Sequence, residues 1–497
     1  MPALTTPHQF TPEQNSFIHD YLKEVANGDA AVFAGAGLSV GAGYVDWRGL
    51  LEDIAQDVGL KIDQETDLIS LAQFHHNERG GRGKLNARII EEFTEKAELT
   101  QNHKILARLP INTFWTTNYD SLIETALEAA GKRVDTKHEV GQLSNPMYRR
   151  QAVVYKMHGD AKHADQATLT KDDYERYHSK NAAFVTTLSS DLVSKTFLFV
   201  GFSFTDPNLD YILSRVRLFL NGNSRPHFCL IKRVARHDKG IKSKADFDYK
   251  TRRQQLMVSD LKRFQITAVY VNDYTEIPLL LREIETRYKR KTVFISGSAA
   301  HFAPYPEQDS LQFIHDLSRG LVENKFSVIN GFGVGVGSAV INGALEAVEK
   351  APRLYSEDQL IMRPFPQVKT GRTELEKLWK GYRERMMSFA GIAIFIFGNK
   401  LQSTAEEPAT PEIVLAGGVR KEFEIAKSLG LLLVPIGATG SMAKELWAEV
   451  QVAYDSLFPN STPKQKRQFL SLGDETKTLD QHRETVIELI KKFNQNY

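Results

Sequence analysis

Three polar clusters at the ends of apolar runs hold the side chains best suited to chemistry. Thr116-Thr117-Asn118-Tyr119-Asp120 follows the strand-like TFW, and Asn118 offers both a carbonyl acceptor and an amide donor for sugar hydroxyls or a water. Tyr155-Lys156-Met157-His158-Gly159-Asp160 sets His158 at the end of AVV, where an imidazole that titrates near neutrality can take a proton from a hydroxyl or a water. GFSFTDPNLDYIL, residues 201–213, brings Ser203 as a phosphate or ribose partner. In the same stretch Asp206 ahead of Pro207 reads first as a helix cap. Upstream of all three, AAVFAGAGLSVGAGYVDWRGLL runs from Ala30 to Leu51 and passes Gly35, Gly37, Gly41 and Gly43 before Asp46, Trp47 and Arg48.

Glycines cost conformational entropy on folding, so four so close together need a compensating reason. A Gly-rich turn between strand and helix points N–H groups at an anion, which makes the phosphates of a dinucleotide the first candidate ligand. Gly37-Leu38-Ser39-Val40-Gly41 also satisfies G-x-S-x-G, the nucleophile elbow in which Ser39 would attack an acyl group. A tight packing turn without a ligand is the third reading.

The elements that position these groups follow from the pattern of apolar runs. AVFAGAG, TFWTTNYD, AVVYKMHGD, KTFLFVGFSF, HFCLIKR and TAVYVND alternate with helix-like segments, as buried parallel strands of a doubly wound α/β sheet do. Ligands of such sheets bind outside the carboxyl ends of the strands, so the polar clusters are expected to share one crevice. NDYTEIPLLLREIETRYKRK reads as a helix, after which KTVFISGSA restarts the strand-then-glycine pattern; the boundary falls near residues 280 to 290, giving domains 1–284 and 285–497. FSVINGFGVGVGSAVINGALEAV, QLIMRPFP, GIAIFIFGN and LLLVPIGATG make the second half α/β as well. Gln402 to Glu412 reads as a polar, Pro-containing loop, and TLDQHRETVIELIKKF as a closing helix.

Bulk properties narrow the classes. The 497 residues are too many for one core, and the net charge of +2 provides no global field toward nucleic acid or an anionic membrane. With Cys229 as the one cysteine, neither an internal disulfide nor a Cys-based zinc site can form, which fits a reducing, cytoplasmic setting. The N-terminus lacks a signal-peptide pattern, and the longest apolar runs fall short of a bilayer span. A soluble protein that binds neither nucleic acid nor membrane, and needs no metal, is expected.

Taken in order, Gly35-Ala36-Gly37-Leu38-Ser39, Gly43-Tyr44-Val45-Asp46-Trp47-Arg48, TTNYD and MHGD resemble the sirtuin motifs GAGxS, GIPDFR, TQNxD and HG. The resemblance implies a Rossmann-type NAD+ site in which Gly35, Ala36, Gly37, Ser39, Asp46, Trp47, Asn118, Asp120, Gly201 and Ser203 bind the dinucleotide. It makes Asn118 the group beside the nicotinamide ribose and His158 the catalytic base. Sirtuin deacylases carry a zinc module held by four cysteines, which this chain cannot build. NAD+ hydrolysis is therefore expected ahead of deacylation or ADP-ribosyl transfer, with a nonenzymatic nucleotide-sensing scaffold as the remaining alternative.

In the second half, Ser296-Gly297-Ser298, the run from Gly331 to Gly337, Arg383, Lys400 and Ala416-Gly417-Gly418-Val419-Arg420-Lys421-Glu422 resemble the Rossmann-like LOG phosphoribohydrolases and their nucleotide-sensing SLOG relatives. The LOG enzymes carry PGGxGTxxE, whereas Arg420-Lys421 stands here in place of Gly-Thr, which favours a binding domain over an enzyme. A sirtuin-like domain followed by a SLOG domain resembles the NADase effectors of Thoeris anti-phage defence. That resemblance implies activation by a cyclic ADP-ribose isomer made by a TIR-domain partner, and homotetramers that stack into filaments. It assigns signal binding to Ser296, Gly297, Gly333, Gly335, Arg383, Lys400, Gly418 and Glu422, two cations suiting a pyrophosphate and a carboxylate the ribose hydroxyls.

Overall fold

Ala30–Ala34 is buried at every position, which is why its sequence is an unbroken apolar run and not an alternating one. In the computed structural model, which describes residues 8–95, 97–366, 371–403 and 411–495, this segment is the central strand of a parallel sheet. The strands are β1 (Ala30–Ala34), β2 (Thr113–Thr116), β3 (Val134–Lys137), β4 (Ala152–Lys156), β5 (Thr196–Val200), β6 (His227–Lys232) and β7 (Ile266–Val271). Their order is β3-β4-β2-β1-β5-β6-β7. The chain moves outward from β1 through β2 and then returns to β5 on the other side, so the topological switch point lies between β1 and β5. Ala34 pairs with Val200 at that point, which places the glycine turn after β1 beside Gly201.

The apolar runs read from the sequence are strands at the expected places, but β3 has no apolar signal. Its sequence is VDTK, and Asp135 and Lys137 are buried because they pair with each other at 2.8 Å. Arg150 at 2.8 Å and the backbone N–H of Met147 at 3.1 Å complete the carboxylate's partners. Behind the sheet, Phe33, Trp115, Phe197 and Phe199 pack with Phe184, Leu188 and Leu192 of the helix Ala182–Ser194. The indole N–H of Trp115 donates to Asp191 at 2.8 Å, so this large ring is buried without an orphaned donor.

The chain divides into two compact units, His8–Glu285 and one that begins at Thr286. The second has its own parallel sheet. It comprises β8 (Thr292–Ser298), β9 (Ser327–Asn330), β10 (Leu360–Met362), β11 (Ile392–Phe397) and, after a hairpin of β12 (Asn399–Ser403) and β13 (Pro411–Leu415), β14 (Leu432–Pro435). The sheet order is β10-β9-β8-β11-β14. The helix Leu479–Gln495 closes this unit by burying Val486, Leu489, Ile490 and Phe493, the spacing of one helical face. The stretch expected as a loop, Gln402 to Glu412, is strand at both described ends. Leu401 pairs with Ile413 and Ser403 with Pro411, while 404–410 lie outside the described residues. Pro411 begins its strand, where a missing N–H is tolerated.

Two buried imidazoles make the first unit sensitive to acid. His227 on β6 accepts a hydrogen bond at Nδ1 from Phe197 N at 3.1 Å, and burial, with the nearby Arg225 charge, pushes its pKa down to about 4. Burial pushes His103 down to about 4 as well, against the opposing charge of Asp120. Both rings stay neutral in the fold while the unfolded chain protonates near pH 6.5, so their stabilisation is complete above pH 6.5 and is lost as pH falls toward 4. Thermal melting of the first unit should show a falling Tm from pH 7 to pH 5, worth up to about 1.4 kcal/mol per ring per pH unit. His227→Gln, whose amide oxygen can still accept from Phe197, should flatten that slope; an unchanged slope would remove His227 as its source.

Candidate functional site

The glycine turn answers to two demands at once. Gly35 N donates to Val200 O at 3.0 Å and Gly37 N to Gly201 O at 2.9 Å, so the backbone leaving β1 is tied directly to the end of β5. A Cβ on Gly35 would lie 2.5 Å from Gly201 O, and one on Gly201, whose φ is +65°, would lie 2.2 Å from Leu38 N. These glycines are required for close approach of two backbones, the packing reading, and their N–H groups already have acceptors. The residues between and after them face a cavity. Ala36, Ser39, Asp46, Trp47, Asn118 and Asp120 line it together with Phe93 and Tyr119. Its volume is about 20 Å³, room for about one water.

The polar atoms of this cavity form a chain from β1 to β2. Thr116 Oγ1 donates to Ala34 O at 3.0 Å and accepts from Asn118 N at 2.9 Å, which bends the chain sharply after β2. Asn118 Nδ2 then donates to Gly35 O and to Ser39 Oγ, each at 3.0 Å, and Ser39 Oγ donates to Asp120 Oδ2 at 2.7 Å. With its amide N–H groups committed, Asn118 has its carbonyl oxygen left to offer a ligand or a water. Ser39 is held by Asn118 and Asp120 rather than by an imidazole, so the arrangement of a hydrolase nucleophile is not formed.

Beneath this chain lies a group the sequence reading passed over. Lys156, at the end of β4, is fully buried, with its ammonium 2.8 Å from Asp160 and 3.2 Å from Glu124. It also donates to the carbonyl of Tyr119 at 3.1 Å and to that of Asp120. Burial alone would depress its pKa, but the Glu124 and Asp160 charges hold it above the usual lysine value. Burial likewise pushes Asp160 upward, and Lys156 reverses this and holds it below the ordinary range, whereas Glu124 is raised by its burial. The available signal was a lysine closing an apolar strand with an aspartate four residues on.

His158 is 1% exposed and stands against Asp206, with Nε2 3.4 Å from Oδ2. The rings of Tyr174 and Tyr177 stand nearly perpendicular to the imidazole at ring-centroid distances of 5.5 and 6.0 Å. Neither ring nitrogen has a hydrogen-bond partner, and burial lowers the pKa against the opposing charges of Asp206 and Asp173. The imidazole does not line the cavity around Asn118, but Tyr174 meets both His158 and the cavity residue Trp47, whose ring centroid is 6.4 Å away. Ser203 is also away from the cavity lining, exposed and hydrogen-bonded to Thr205 at 2.8 Å. Asp206 caps the helix Pro207–Phe219 through Leu209 N at 2.9 Å, as expected, and faces His158 besides.

In the second unit the structure gathers Ser296, Arg383, Gly418 and Glu422. Ser296 Oγ donates to Glu422 at 2.6 Å and Arg383 Nε at 3.3 Å, and burial holds the Glu422 carboxyl above its usual pKa. The Arg383 guanidinium lies over the rings of Phe365 and Trp379, 4.8 and 5.9 Å from their centroids. A Cβ on Gly418 would come 3.3 Å from it. Gly333 and Gly335 are close-packing residues: a Cβ there would lie 2.0 Å from Gly297 O and 2.1 Å from Ala299 O. Lys400 is exposed on β12, opposite Val414, while Arg420 pairs with Glu449 at 2.7 Å. The helix Gly417–Ser428 starts without a side-chain cap, at a glycine with open space around it. Among the described residues no group of three or more His, Cys, Asp or Glu side chains could hold a metal, and no helix is long and apolar enough to cross a membrane.

Two domain classes fit this pair of sheets. Residues 112–252 match a SIR2-like domain family, and residues 276–493 match the Sir2- and TIR-associating SLOG family. Over 484 residues the chain is 47% identical to the NAD(+) hydrolase ThsA of Bacillus cereus (strain MSX-D12), covering 97% of this chain and 99% of that protein. It is 45% identical to ThsA of Acinetobacter baumannii (strain 532279), over 94% of this chain and 96% of that one, and 39% identical to ThsA of Enterococcus faecium, over 97% and 100%. The chain belongs to the ThsA family of NAD(+) hydrolases.

The close approach at the switch point can be tested without any ligand. Gly201→Ala combines a left-handed φ with a Cβ 2.2 Å from Leu38 N and should cost on the order of 2–4 kcal/mol, lowering the Tm of the first unit by several degrees. Gly28→Ala, with a φ of +79° but open space, carries only the conformational strain of about 1–2 kcal/mol and should melt above it. Equal Tm values for the two variants would contradict the packing role.

Proposed function

We propose that the unit His8–Glu285 hydrolyses the nicotinamide N-glycosidic bond of NAD+, and that the unit from Thr286 onward switches this reaction on when it binds a cyclic ADP-ribose isomer. The observation that carries the first half is the hydrogen-bond chain Asn118–Ser39–Asp120 at the switch point, in a chain of the NAD(+) hydrolase family. In the reaction the C1′–N bond breaks with its electron pair going to nicotinamide, whose ring nitrogen becomes neutral. Water adds to the oxocarbenium-like C1′ and gives up a proton, leaving ADP-ribose. Asn118, with its carbonyl oxygen free of the Ser39 and Gly35 contacts, orients the nicotinamide ribose or that water. His158 takes the proton. Ala36, Ser39, Asp46, Trp47 and Asp120 shape the site, and Gly35, Gly37 and Gly201 fix the turn on which it stands; Ser203 joins it from the β5 end.

The small cavity and the buried imidazole suit a resting form that must open before it turns over. In the second unit Arg383 and Lys400 meet the signal's pyrophosphate, Glu422 its ribose hydroxyls, and Ser296, Gly297, Gly333, Gly335 and Gly418 its close backbone contacts. The signal comes from a TIR-domain synthase, and its binding assembles tetramers into filaments. Depletion of cytoplasmic NAD+ then aborts phage infection. Switching from 1:99 to 99:1 needs about 5.5 kcal/mol of differential binding, which several chains switching together supply more readily than one.

His158→Ala and Asn118→Ala should each lower NAD+ turnover by roughly 10²- to 10⁴-fold while the chain still melts cooperatively, with free ADP-ribose and nicotinamide as the wild-type products in the absence of any acceptor. Wild-type turnover by His158→Ala would remove it as the base. Arg383→Ala should leave the first unit's melting unchanged while weakening the activating isomer roughly ten- to hundredfold, as loss of a charged hydrogen bond of about 1.5–3 kcal/mol requires. Calorimetry across a panel of cyclic ADP-ribose isomers, with light scattering on the same samples, measures both binding and assembly; unaltered affinity would refute the pocket.

A further inference from the structure

We propose that Asp206 is a positioning residue for the hydrolysis: its carboxylate holds the His158 imidazole in one orientation and stays beside it as the counter-charge when the ring takes up a proton. The inference rests on the reading of His158 as the base. It goes beyond the helix-capping role that the sequence suggests for Asp206.

The carboxylate divides its two oxygens between two tasks. Oδ1 accepts from Leu209 N at 2.9 Å, which fixes the group at the start of the helix Pro207–Phe219. Oδ2 lies 3.4 Å from His158 Nε2, an ion-pair approach without hydrogen-bond geometry, and also accepts from the Tyr174 hydroxyl at 3.3 Å. The rings of Tyr174 and Tyr177 also pack against the imidazole, nearly perpendicular to it. Other charges nearby are already matched. Asp173, on the helix Lys171–Lys180 that also carries the two tyrosines, is paired with Arg82 at 2.6 Å and accepts from Leu169 N and Thr170 N. On the His158 segment itself, Lys156 and Asp160 pair with each other.

A buried imidazole that accepts a proton becomes a buried cation, and without an adjacent anion its formation would be strongly disfavoured. Asp206 supplies that anion from a fixed position. Beside Nε2 it also selects the tautomer with the proton on Nε2, which leaves the lone pair on Nδ1 to receive the proton from the attacking water or ribose hydroxyl. At 3.4 Å the two groups are close but not aligned for a hydrogen bond, and a small turn of the ring or the carboxylate would align them as the ring becomes charged.

Asp206→Asn keeps a good helix cap and removes the charge. With NAD+ turnover measured across pH at a saturating cyclic ADP-ribose isomer, it should lower kcat roughly 10- to 100-fold with KM nearly unchanged. The acid limb of the profile should move to lower pH, because the imidazolium has lost its counter-charge. Tyr174→Phe takes a hydrogen bond away from the same carboxylate oxygen, strengthens it as an acceptor, and should move the acid limb the opposite way. A ¹³C-histidine NMR titration of His158 reads the same two shifts without turnover, and Tyr174→Phe decides the matter if Asp206→Asn melts early. Unmoved limbs and an unmoved His158 titration in both variants, with His158→Ala inactive, would overturn the role of Asp206 alone. An active His158→Ala would instead overturn the base itself.

Discussion

One fully buried ammonium governs the geometry of the first unit's site. Lys156 has no access to water, so every one of its donors must be met by the protein, and the groups that meet them come from both sides of the crevice. The carbonyls of Tyr119 and Asp120 fix the turn after β2, Glu124 fixes the helix that follows, and Asp160 fixes the turn after β4. Asn118 and His158 lie on these two turns. Breaking such a cluster at one member leaves a charge uncompensated in a low-dielectric interior, typically at a cost of about 3–5 kcal/mol, which is larger than any single hydrogen bond in the Asn118 chain. The polar chain is thus arranged on a foundation stronger than itself.

The second constraint is the contact of glycine backbone with glycine backbone where the strand order reverses. Gly35 and Gly37 can approach Gly201 only because none of the three has a Cβ, and the approach ties the turn after β1 to the end of β5. The same contact limits what these residues offer a ligand, since the N–H groups of Gly35 and Gly37 are already bonded to β5 and the residue after it. Ala36 and Ser39, between and beyond them, are the ones that reach the cavity.

How much of this could be read beforehand follows from what each feature writes into the sequence. Buried parallel strands write apolar runs, so β1, β2, β4, β5, β6 and β7, and the sheet of the second unit, were legible. A buried strand satisfied by its own ion pair writes no such run, which is why VDTK escaped notice; so did the strands flanking 404–410, whose alternation is short and interrupted by proline. Motif order pointed to Asn118 and His158, but spacing says nothing of exposure. It did not disclose that the imidazole is enclosed by Tyr174 and Tyr177, that Ser203 lies outside the cavity lining, or that Lys156 lies underneath. Asp206 was legible as a cap because capping is a local pattern; its second oxygen serves a residue 48 positions earlier in the chain, a relation no local pattern holds.

The second unit shows how a buried carboxylate restricts what can bind beside it. Glu422 is hydrogen-bonded by Ser296 and Arg383, which oppose the upward push that burial gives its pKa. A ligand that draws Arg383 away with an anionic group removes the cation that offsets this carboxylate. A bare anion would therefore gain one contact while leaving Glu422 more poorly matched than before. A ligand that brings hydroxyl donors along with its anionic group repairs the loss, because those hydroxyls replace the departing guanidinium at Glu422. Under the proposed assignment, selectivity for a ribose-bearing pyrophosphate over inorganic phosphate thus arises from the cost of leaving one carboxylate unpaired, and Phe365 and Trp379, stacked against Arg383, keep the guanidinium within reach of either partner.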